Sequence, residues 1–279
     1  MGAEAAHPQQ QPPSSVRPCR EAAAPAVLGL QLSALIDHVA RVDWSLLDRV
    51  PGDRGGSQQV SIVELNHILN EVNTHILPSH NDLTPITTIA GGSVANTIRG
   101  LSAGFGISTG IIGACGDDNQ GLLFVNNMSF SGVDLTRLRA KKGHTAQCVC
   151  LVDASGNRTM RPCLSSAVKI QANEFRKEDF KGSKWLIVRY AQQNMEQIIE
   201  AIRIAKQEGL SVSLDLASFE VCMHTTDLIA RSKLTFCLIF LCDCLPCRWS
   251  VTLGLSLLTF WRPVTLTFAS PMRMKLERL

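Results

Sequence analysis

Short apolar runs alternate with amphipathic segments over residues 26–216 of the chain. A run of four to eight apolar residues, bounded by polar or turn residues, is typical of a strand that is buried on both faces of a sheet. Several segments between these runs carry apolar residues at helical spacing. The predicted strands are Ala26–Leu30, Ile86–Ala90, Ile107–Ile112, Trp185–Val188 and Leu210–Leu216.

Two predicted helices have recognisable ends. Ser61 and Glu64 have the spacing of a capping box at the start of the first helix. Asn194 is the predicted N-cap of the second, which Gly209 ends. Because the second helix joins two buried strands, it predicts an α/β fold with a mostly parallel sheet and helices on both faces. The predicted apolar stripes are Val63, Ile68, Leu69, Val72 and Ile76 in the first helix, and Ile198, Ile199, Ile202 and Ala205 in the second.

A hairpin and an irregular tail interrupt this alternation. Cys148–Val152 and Arg158–Arg161 flank a predicted five-residue turn. Leu234–Trp261 is dense in Leu, Phe and Cys but has neither a strand nor a helix period. Its longest uncharged stretch, residues 249–261, is 13 residues long, and a membrane span needs about 20. We therefore predict three segments: a disordered 1–25, an α/β domain over 26–220, and an aberrant tail over 221–279.

Composition narrows the class of protein. The 27 basic and 24 acidic residues give a net charge of +3, which predicts neither a nucleic-acid nor a membrane partner. The apolar fraction of 45% is enough to bury a core. Scattered cysteines without a signal-peptide pattern indicate reduced thiols in a cytoplasmic protein, with a plastid as the alternative. Four cysteines in the tail fit zinc spacing poorly, so a chance cluster is the favoured interpretation: Cys237, Cys242, Cys244 and Cys247.

Two polar positions are candidates for ligand binding. Gly91 and Gly92 stand where a strand passes into a helix, and Asn96 follows one turn later. Glycines let the backbone approach a ligand closely, and a helix N-terminus offers free N–H groups; a tight turn with a solvated Asn is the equally weighted alternative. Asp37, shortly after the first strand, could accept hydrogen bonds from sugar hydroxyls or cap a helix. Asp117 and Asp118 are predicted turn and N-cap residues.

The order of these motifs resembles the ribokinase-like (PfkB) carbohydrate kinases, most closely the plant members of unassigned substrate. The resemblance covers about residues 26–220 and includes Gly-Gly-x-x-x-Asn, Ile-Ile-Gly-x-x-Gly-Asp-Asp-x-x-Gly and the Ala-Ser-Gly-Asn-Arg-Thr hairpin. It implies a large α/β domain with a small β lid, which the hairpin helps to form, and dimerisation through that lid. It also implies that Asp37, Gly91, Gly92 and Asn96 bind a sugar or nucleoside-like acceptor, with the two glycines as the lid's hinge.

The intact family transfers the γ-phosphoryl group of ATP to an alcohol with the help of magnesium. It uses a Gly-Ala-Gly-Asp loop, which supplies the catalytic base, and an Asn-x-x-Glu motif upstream of that loop. These 279 residues contain no Gly-Ala-Gly-Asp, and no Asn-x-x-Glu follows Asp215. We therefore expect no catalytic residue, no bound ATP, no metal and no kinase activity in this chain. The alternative is a non-catalytic sugar-binding or regulatory module that pairs with a full-length subunit. A Rossmann-type oxidoreductase is disfavoured because GxGxxG is missing.

A frameshifted transcript would explain the tail. Our hypothesis is that Val221 to about Thr267 translates a retained intron, and that the last residues are read out of frame. Loss of the C-terminal strands would then leave an open sheet edge and an uncovered apolar face. The unpatterned tail rich in Leu, Phe and Cys would be an aggregation hazard.

Overall fold

The structure, a computed structural model, describes residues 23–74, 86–189 and 194–215, and the strands within 236–241, 248–257, 260–269 and 273–276. The strands are β1 (Val27–Gln31), β2 (Leu35–Arg41), β3 (Thr87–Gly91), β4 (Thr109–Gly116), β5 (Leu138–Lys141), β6 (Ala146–Val152), β7 (Arg158–Cys163), β8 (Trp185–Arg189), β9 (Ser211–Asp215), β10 (Phe236–Leu241), β11 (Arg248–Leu257), β12 (Phe260–Ala269) and β13 (Arg273–Leu276). The helices are α1 (Trp44–Leu47), α2 (Ile62–Thr74), α3 (Ser93–Phe105), α4 (Asn119–Phe130) and α5 (Met195–Gln207), and two short 3₁₀ turns lie at Ala172–Glu174 and Lys177–Asp179.

The larger sheet has nine strands among the described residues, in the order β13-β12-β11-β10-β9-β8-β1-β4-β5. Six neighbouring strands of this sheet, in the spatial order β10-β9-β8-β1-β4-β5, all pair in parallel. Leu28 in β1 and Ile112 in β4 are fully buried, as continuous apolar runs require. This arrangement confirms the predicted α/β class with a mostly parallel sheet.

One predicted strand end in the larger sheet was wrong. We expected β4 to end at Gly113, but all eight of its residues are buried and it continues to Gly116. Gly113 instead allows the backbone of β1 to pass so closely that a β-carbon there would collide with the Gln31 carbonyl. We also expected loss of the C-terminal strands to leave an open sheet edge; in the structure β10 pairs with β9 in parallel, and β11–β13 follow in antiparallel pairing. These strands satisfy backbone groups that an edge would leave free.

The smaller sheet has the order β3-β2-β6-β7 among the described residues. β2 pairs antiparallel with β3 and parallel with β6, and β6 and β7 form the predicted hairpin. Asp153 stabilises the hairpin turn by accepting bonds from the backbone N–H groups of Ser155 and Asn157. One face of the sheet packs against α2 through Leu65, Ile68 and neighbouring apolar side chains. This sheet therefore corresponds to the expected small β unit.

The helix ends follow the predicted pattern with one exception. Ser61 N–H donates to Glu64 (2.7 Å) and Glu64 N–H donates to the Ser61 hydroxyl (3.2 Å), which confirms the capping box. Asn194 occupies the N-cap position of α5, but its side chain makes no capping bond and accepts from Lys169 instead. The prediction of Asn194 as a side-chain cap is therefore wrong, because Lys169 offers a charged donor.

The predicted apolar stripes were wrong at two positions. Val63 is 74% exposed, and Leu65 takes the buried place in α2. Ile199 is 46% exposed in α5, where Ala201 and Ile204 are buried instead. Ile76 and most of the predicted disordered segment 1–25 lie outside the described residues. Within the described residues, no helix is both long and apolar enough to span a membrane.

Candidate functional site

The smaller sheet passes into the larger domain through Gly91 and Gly92. β3 ends at Gly91 and α3 begins at Ser93. Gly92 has φ 96° and ψ 137°, a backbone conformation that residues with a β-carbon rarely adopt. A glycine is therefore required at the point where the chain changes direction between the two sheets.

The side chain of Gln31, at the end of β1, bridges this junction. Its Nε2 donates to the Gly91 carbonyl (3.1 Å), and its Oε1 accepts from the Ala95 N–H (2.9 Å). A β-carbon on Gly92 would lie 2.6 Å from Gln31 Nε2. Gln31 thus fixes the last residue of β3 relative to the first turn of α3. Gln31 was not among the predicted site residues, although a polar residue at the end of a buried parallel strand was a usable signal.

Asp37 lies in the middle of β2, opposite Ile89 of β3 and Cys148 of β6. The prediction placed it in a segment after the first strand at the edge of the main sheet; it belongs instead to the smaller sheet. Its carboxylate stands directly over Gly91, where a β-carbon would be 2.5 Å from Asp37 Oδ1. Oδ1 is buried and has no hydrogen-bond partner among the described residues.

The surroundings of Asp37 change the pKa of its carboxyl group. Burial raises this pKa above its ordinary value, and the positive charges of His38, Arg158 and Arg99 oppose that rise. An ionised carboxylate with an unpaired buried oxygen is costly. A ligand that donates a hydroxyl to Oδ1 would remove that cost, so the arrangement favours binding of a hydroxylated molecule.

Asn96 lies in the first turn of α3, and its backbone N–H donates to the Gly92 carbonyl (2.9 Å). Its side chain is exposed and accepts from Arg99 Nη2 (2.8 Å). Arg99 also donates to the Ala90 carbonyl (3.1 Å) and so links Asn96 to the end of β3. The structure brings Asp37 together with Gly91, and Gly92 with Asn96, but the Asn96 side chain turns to Arg99.

A cleft of about 520 Å³ opens between the two sheets beside the glycine pair. Gly92 is the predicted site residue that lines it among the described residues, and Leu35 lines it two positions before Asp37. Since alternate residues of a strand face the same side, Asp37 lies one step beyond the cleft on the same face of β2. The lining also includes Gln31, Leu32, Ser33, Gln59, Ser93, Val94, Ala146, Leu164, Ser165, Ser166, Lys169, Val188, Arg189, Asn194 and Ile198.

Two cationic side chains in this cleft were not predicted. Lys169 Nζ donates to Asn194 Oδ1 (2.5 Å), and Arg189 lies 3.9 Å from the Asp215 carboxylate. Both are held by partners across the cleft wall. They add charge to a cleft whose lining also includes the apolar Leu32 and Ile198.

The acidic loop after β4 is structural, as predicted. Asp118 is the N-cap of α4, where its Oδ1 accepts from the Gly121 N–H (2.8 Å). It also accepts from the backbone and hydroxyl of Thr145, and Asp117 accepts from the Gly143 N–H. Burial opposes ionisation of Asp118, but the hydrogen bonds from Thr145 and Gly121 together outweigh it and lower the pKa of Asp118 below its ordinary value. These hydrogen bonds connect the start of α4 to Gly143 and Thr145, in the segment just before β6.

Comparison with known proteins assigns the family. The model of the "pfkB family carbohydrate kinase" matches residues 60–246. The chain belongs to the PfkB family of carbohydrate kinases. This confirms the family inferred from the motif order, and the match extends past residue 220, where we had placed the end of the family domain.

A curated relative matches part of this chain, and several solved structures resemble it. The ATP-dependent ribose-1-phosphate kinase of Halopiger xanaduensis is 31% identical over 131 residues, which are 45% of this chain and 42% of the relative. The chain therefore matches less than half of that protein's length. Adenosine kinase from Sinorhizobium meliloti superposes with a TM-score of 0.65 at 18% identity, over 86% of this chain and 79% of that one.

A putative ribokinase from Agrobacterium tumefaciens gives a similar superposition. Its TM-score is 0.60 at 16% identity, and the match covers 88% of this chain and 78% of that one. Identities this low establish a shared fold and no more. The ribokinase-like architecture predicted from the sequence is thereby confirmed.

Proposed function

We propose that this chain carries the acceptor-binding part of a kinase that transfers the γ-phosphoryl group of ATP to a hydroxyl of a sugar or nucleoside. The observation that carries the proposal is the Asp37 carboxylate, whose buried Oδ1 lacks a hydrogen-bond partner among the described residues. It lies over Gly91 and beside the cleft between the two sheets. A pair of acceptor hydroxyls can donate to its two oxygens, which orients the acceptor for transfer.

The junction at Gly92 would let the smaller sheet close over a bound acceptor. Gln31, at the end of β1 in the larger sheet, is hydrogen-bonded to Gly91 and to Ala95. These bonds fix both ends of the glycine junction relative to the larger sheet. Closure excludes water from the reacting hydroxyl and strengthens its interaction with Asp37. Dimerisation through this sheet and a cytoplasmic location remain predictions.

The described residues do not fit a magnesium–nucleotide site. Within them, the group of side chains able to hold a metal is Asp37, Cys148 and Cys150. Mg²⁺ prefers six oxygen ligands, and two of these three ligand atoms are sulfur. No phosphoryl-transfer step is therefore assigned to the described residues, and we propose that the 279-residue chain binds an acceptor without phosphorylating it.

A second candidate function is a non-catalytic module that holds a sugar-like ligand and pairs with a full-length subunit. The presence of the acceptor cleft alongside the absence of Gly-Ala-Gly-Asp from the sequence favours it. Such a chain would change the activity of the full-length enzyme while remaining inactive alone. Mixing the two purified chains and measuring turnover per full-length subunit separates this function from a simple inactive product.

The proposed function is tested by thermal unfolding with a panel of probes: ribose, ribose 1-phosphate and adenosine. We expect at least one probe to raise the midpoint of unfolding of the wild-type chain and to leave that of Asp37→Asn unchanged. Asp48→Asn, an exposed carboxylate in the α1 cap, is the matched control and should respond like the wild type. A probe-dependent release of ADP from ATP would contradict the proposed inactivity, and the absence of any shift would contradict acceptor binding.

A further inference from the structure

Two thiols face Asp37 across the smaller sheet. Cys148 lies directly opposite Asp37 in the register of β2 and β6, and Cys150 follows two residues later on the same face. Both side chains are buried, at 0% and 6% exposure. Their Sγ atoms are 3.8 Å apart, and a carboxylate oxygen of Asp37 lies within 4.8 Å of both. A carboxylate oxygen and two sulfurs therefore converge on one point.

The spacing of these atoms matches a tetrahedral zinc site. Zn–S bonds of about 2.3 Å at a tetrahedral angle place two sulfurs about 3.8 Å apart. The observed Sγ–Sγ distance is 3.8 Å without any adjustment. A carboxylate oxygen bonded to the same ion lies about 3.5 Å from each sulfur. Since the Asp37 oxygen lies within 4.8 Å of both, these distances would have to shorten by at most about 1.3 Å. A small rotation of one partly exposed side chain supplies that movement.

We propose that Asp37, Cys148 and Cys150 supply three ligands of a binding site for a thiophilic divalent cation of the Zn²⁺ or Cd²⁺ type. On binding, each thiol releases its proton to solvent and the two thiolates and the carboxylate donate electron pairs to the ion; no oxidation is involved. Two sulfur ligands select against Mg²⁺ and Ca²⁺, which prefer oxygen.

The competing interpretation is a pair of ordinary buried thiols joined by a weak S–H···S contact. That interpretation explains the sulfurs but leaves Asp37 Oδ1 buried beside them without a hydrogen-bond partner in the described part of the chain. A cation satisfies the carboxylate and both sulfurs together. Cys115, a buried thiol in β4, belongs to no such group within the described residues and serves as the comparison.

The site also has a consequence for ligand binding, which rests on the proposed function. Asp37 cannot bond an ion and two acceptor hydroxyls through the same oxygens. The cation should therefore compete with the acceptor and hold the carboxylate over Gly91. Such a site would make acceptor binding sensitive to traces of thiophilic metal.

The metal site is tested by titrating cadmium chloride alone into the full chain and following the ultraviolet thiolate-to-cadmium absorption band. The four tail cysteines are first replaced by serine, because they would bind the same metal: Cys237, Cys242, Cys244 and Cys247. We expect one Cd²⁺ per chain, displaced only by an excess of Zn²⁺ because thiolates prefer the softer ion. Cys148→Ala should abolish the band, Asp37→Asn should weaken binding at least about tenfold, and Cys115→Ala should leave both unchanged.

A band that persists at full strength in Cys148→Ala, or an affinity unaltered in Asp37→Asn, would overturn the proposal. Circular dichroism of each metal-free variant establishes that it is folded, and Cys150→Ser provides a second, smaller change should Cys148→Ala unfold. The titration contains no acceptor, so its outcome is independent of the proposed function. Cadmium binding without any acceptor response would sustain the metal site and refute the acceptor site.

Discussion

The Asp37 carboxylate occupies the space that a β-carbon on Gly91 would need, with Oδ1 only 2.5 Å from where that carbon would stand. Gly91 is not held in the left-handed region, unlike Gly92. Its requirement for glycine therefore comes from Asp37 rather than from its own backbone. The two residues, 54 positions apart in sequence, form one structural unit in which the glycine makes room for the carboxylate.

A double-mutant cycle tests this unit. Gly91→Ala should destabilise the wild-type chain because the new methyl group displaces the Asp37 side chain. In an Asp37→Ala background the same change should cost less, with a coupling of about 0.5–3 kcal/mol, the range typical of residues in contact. Urea unfolding of the four proteins gives the coupling directly. Equal costs in the two backgrounds would show that the residues do not meet.

The backbone of Gly92 leads to a second prediction. Gly92→Ala should destabilise the protein by at least about 1–3 kcal/mol, because φ 96° strains any residue with a β-carbon and the methyl group meets Gln31. Gly100→Ala, in the helix α3 that follows, is the control, because a β-carbon there has open space; it should stabilise by roughly 0.5–1 kcal/mol. Denaturant unfolding measures both; a neutral Gly92→Ala would disprove the strained junction.

Substitution of Gln31 tests the bridge between the sheets. Gln31→Leu removes both hydrogen bonds and leaves the Gly91 carbonyl and the Ala95 N–H without their partner, at a cost of about 1–3 kcal/mol. Gln31→Glu keeps the acceptor for Ala95 and loses the donor for Gly91, so an intermediate loss is expected. Thermal unfolding ranks the three proteins. The bridge would have no energetic role if the leucine variant were as stable as the wild type.

The raised pKa of Asp37 predicts that its carboxylate lowers the stability of the folded protein at neutral pH. Because burial raises this pKa, the folded protein binds the proton more tightly than the unfolded chain does. The ionised carboxylate therefore destabilises the fold at neutral pH, and this penalty fades as pH falls through the folded pKa and disappears below the ordinary value of 3.8. Asp37→Asn should accordingly be more stable than the wild type at pH 7 and no more stable at the acid end.

The measurement is the free energy of unfolding of both proteins as a function of pH. The same substitution should abolish the acceptor-dependent rise in stability. Two ligand hydroxyls need two accepting oxygens, and the amide of Asn replaces one of them with an NH₂ group that only donates. If the Asp37→Asn variant were less stable than the wild type at pH 7, the carboxylate would already be compensated by its neighbours. That result would also remove the physical reason for placing a ligand there.

The periodic parts of the chain were predictable because each depends on local chemistry. The buried run at β1, the capping box of Ser61 and Glu64, and the hairpin at β6 and β7 are short-range signals that tertiary contacts did not override. One helix cap did not follow its local signal. Asn194 turned from its helix to Lys169, 25 residues away in sequence, a partner that helix-cap rules do not consider.

The candidate site was predictable only in part. Motif order identified Asp37 and the glycine pair, but it could not show that Asp37 belongs to the smaller sheet or that it rests on Gly91. The bridging position of Gln31 and the closeness of Cys148 and Cys150 to Asp37 were not predicted, because both arise from pairing across the fold. The strands after β9 were missed because their residues carry no clear alternation, and pairing rather than pattern defines them.

The central claim, that Asp37 holds the hydroxyls of an acceptor, is tested most directly by a crystal structure of the 279-residue chain with a probe that raises its unfolding midpoint. The account predicts two acceptor hydroxyls within hydrogen-bond distance of the Asp37 carboxylate, with Oδ1 as one of the acceptors. A probe bound elsewhere, or one bound in the cleft while Asp37 Oδ1 stays without a partner, would contradict it.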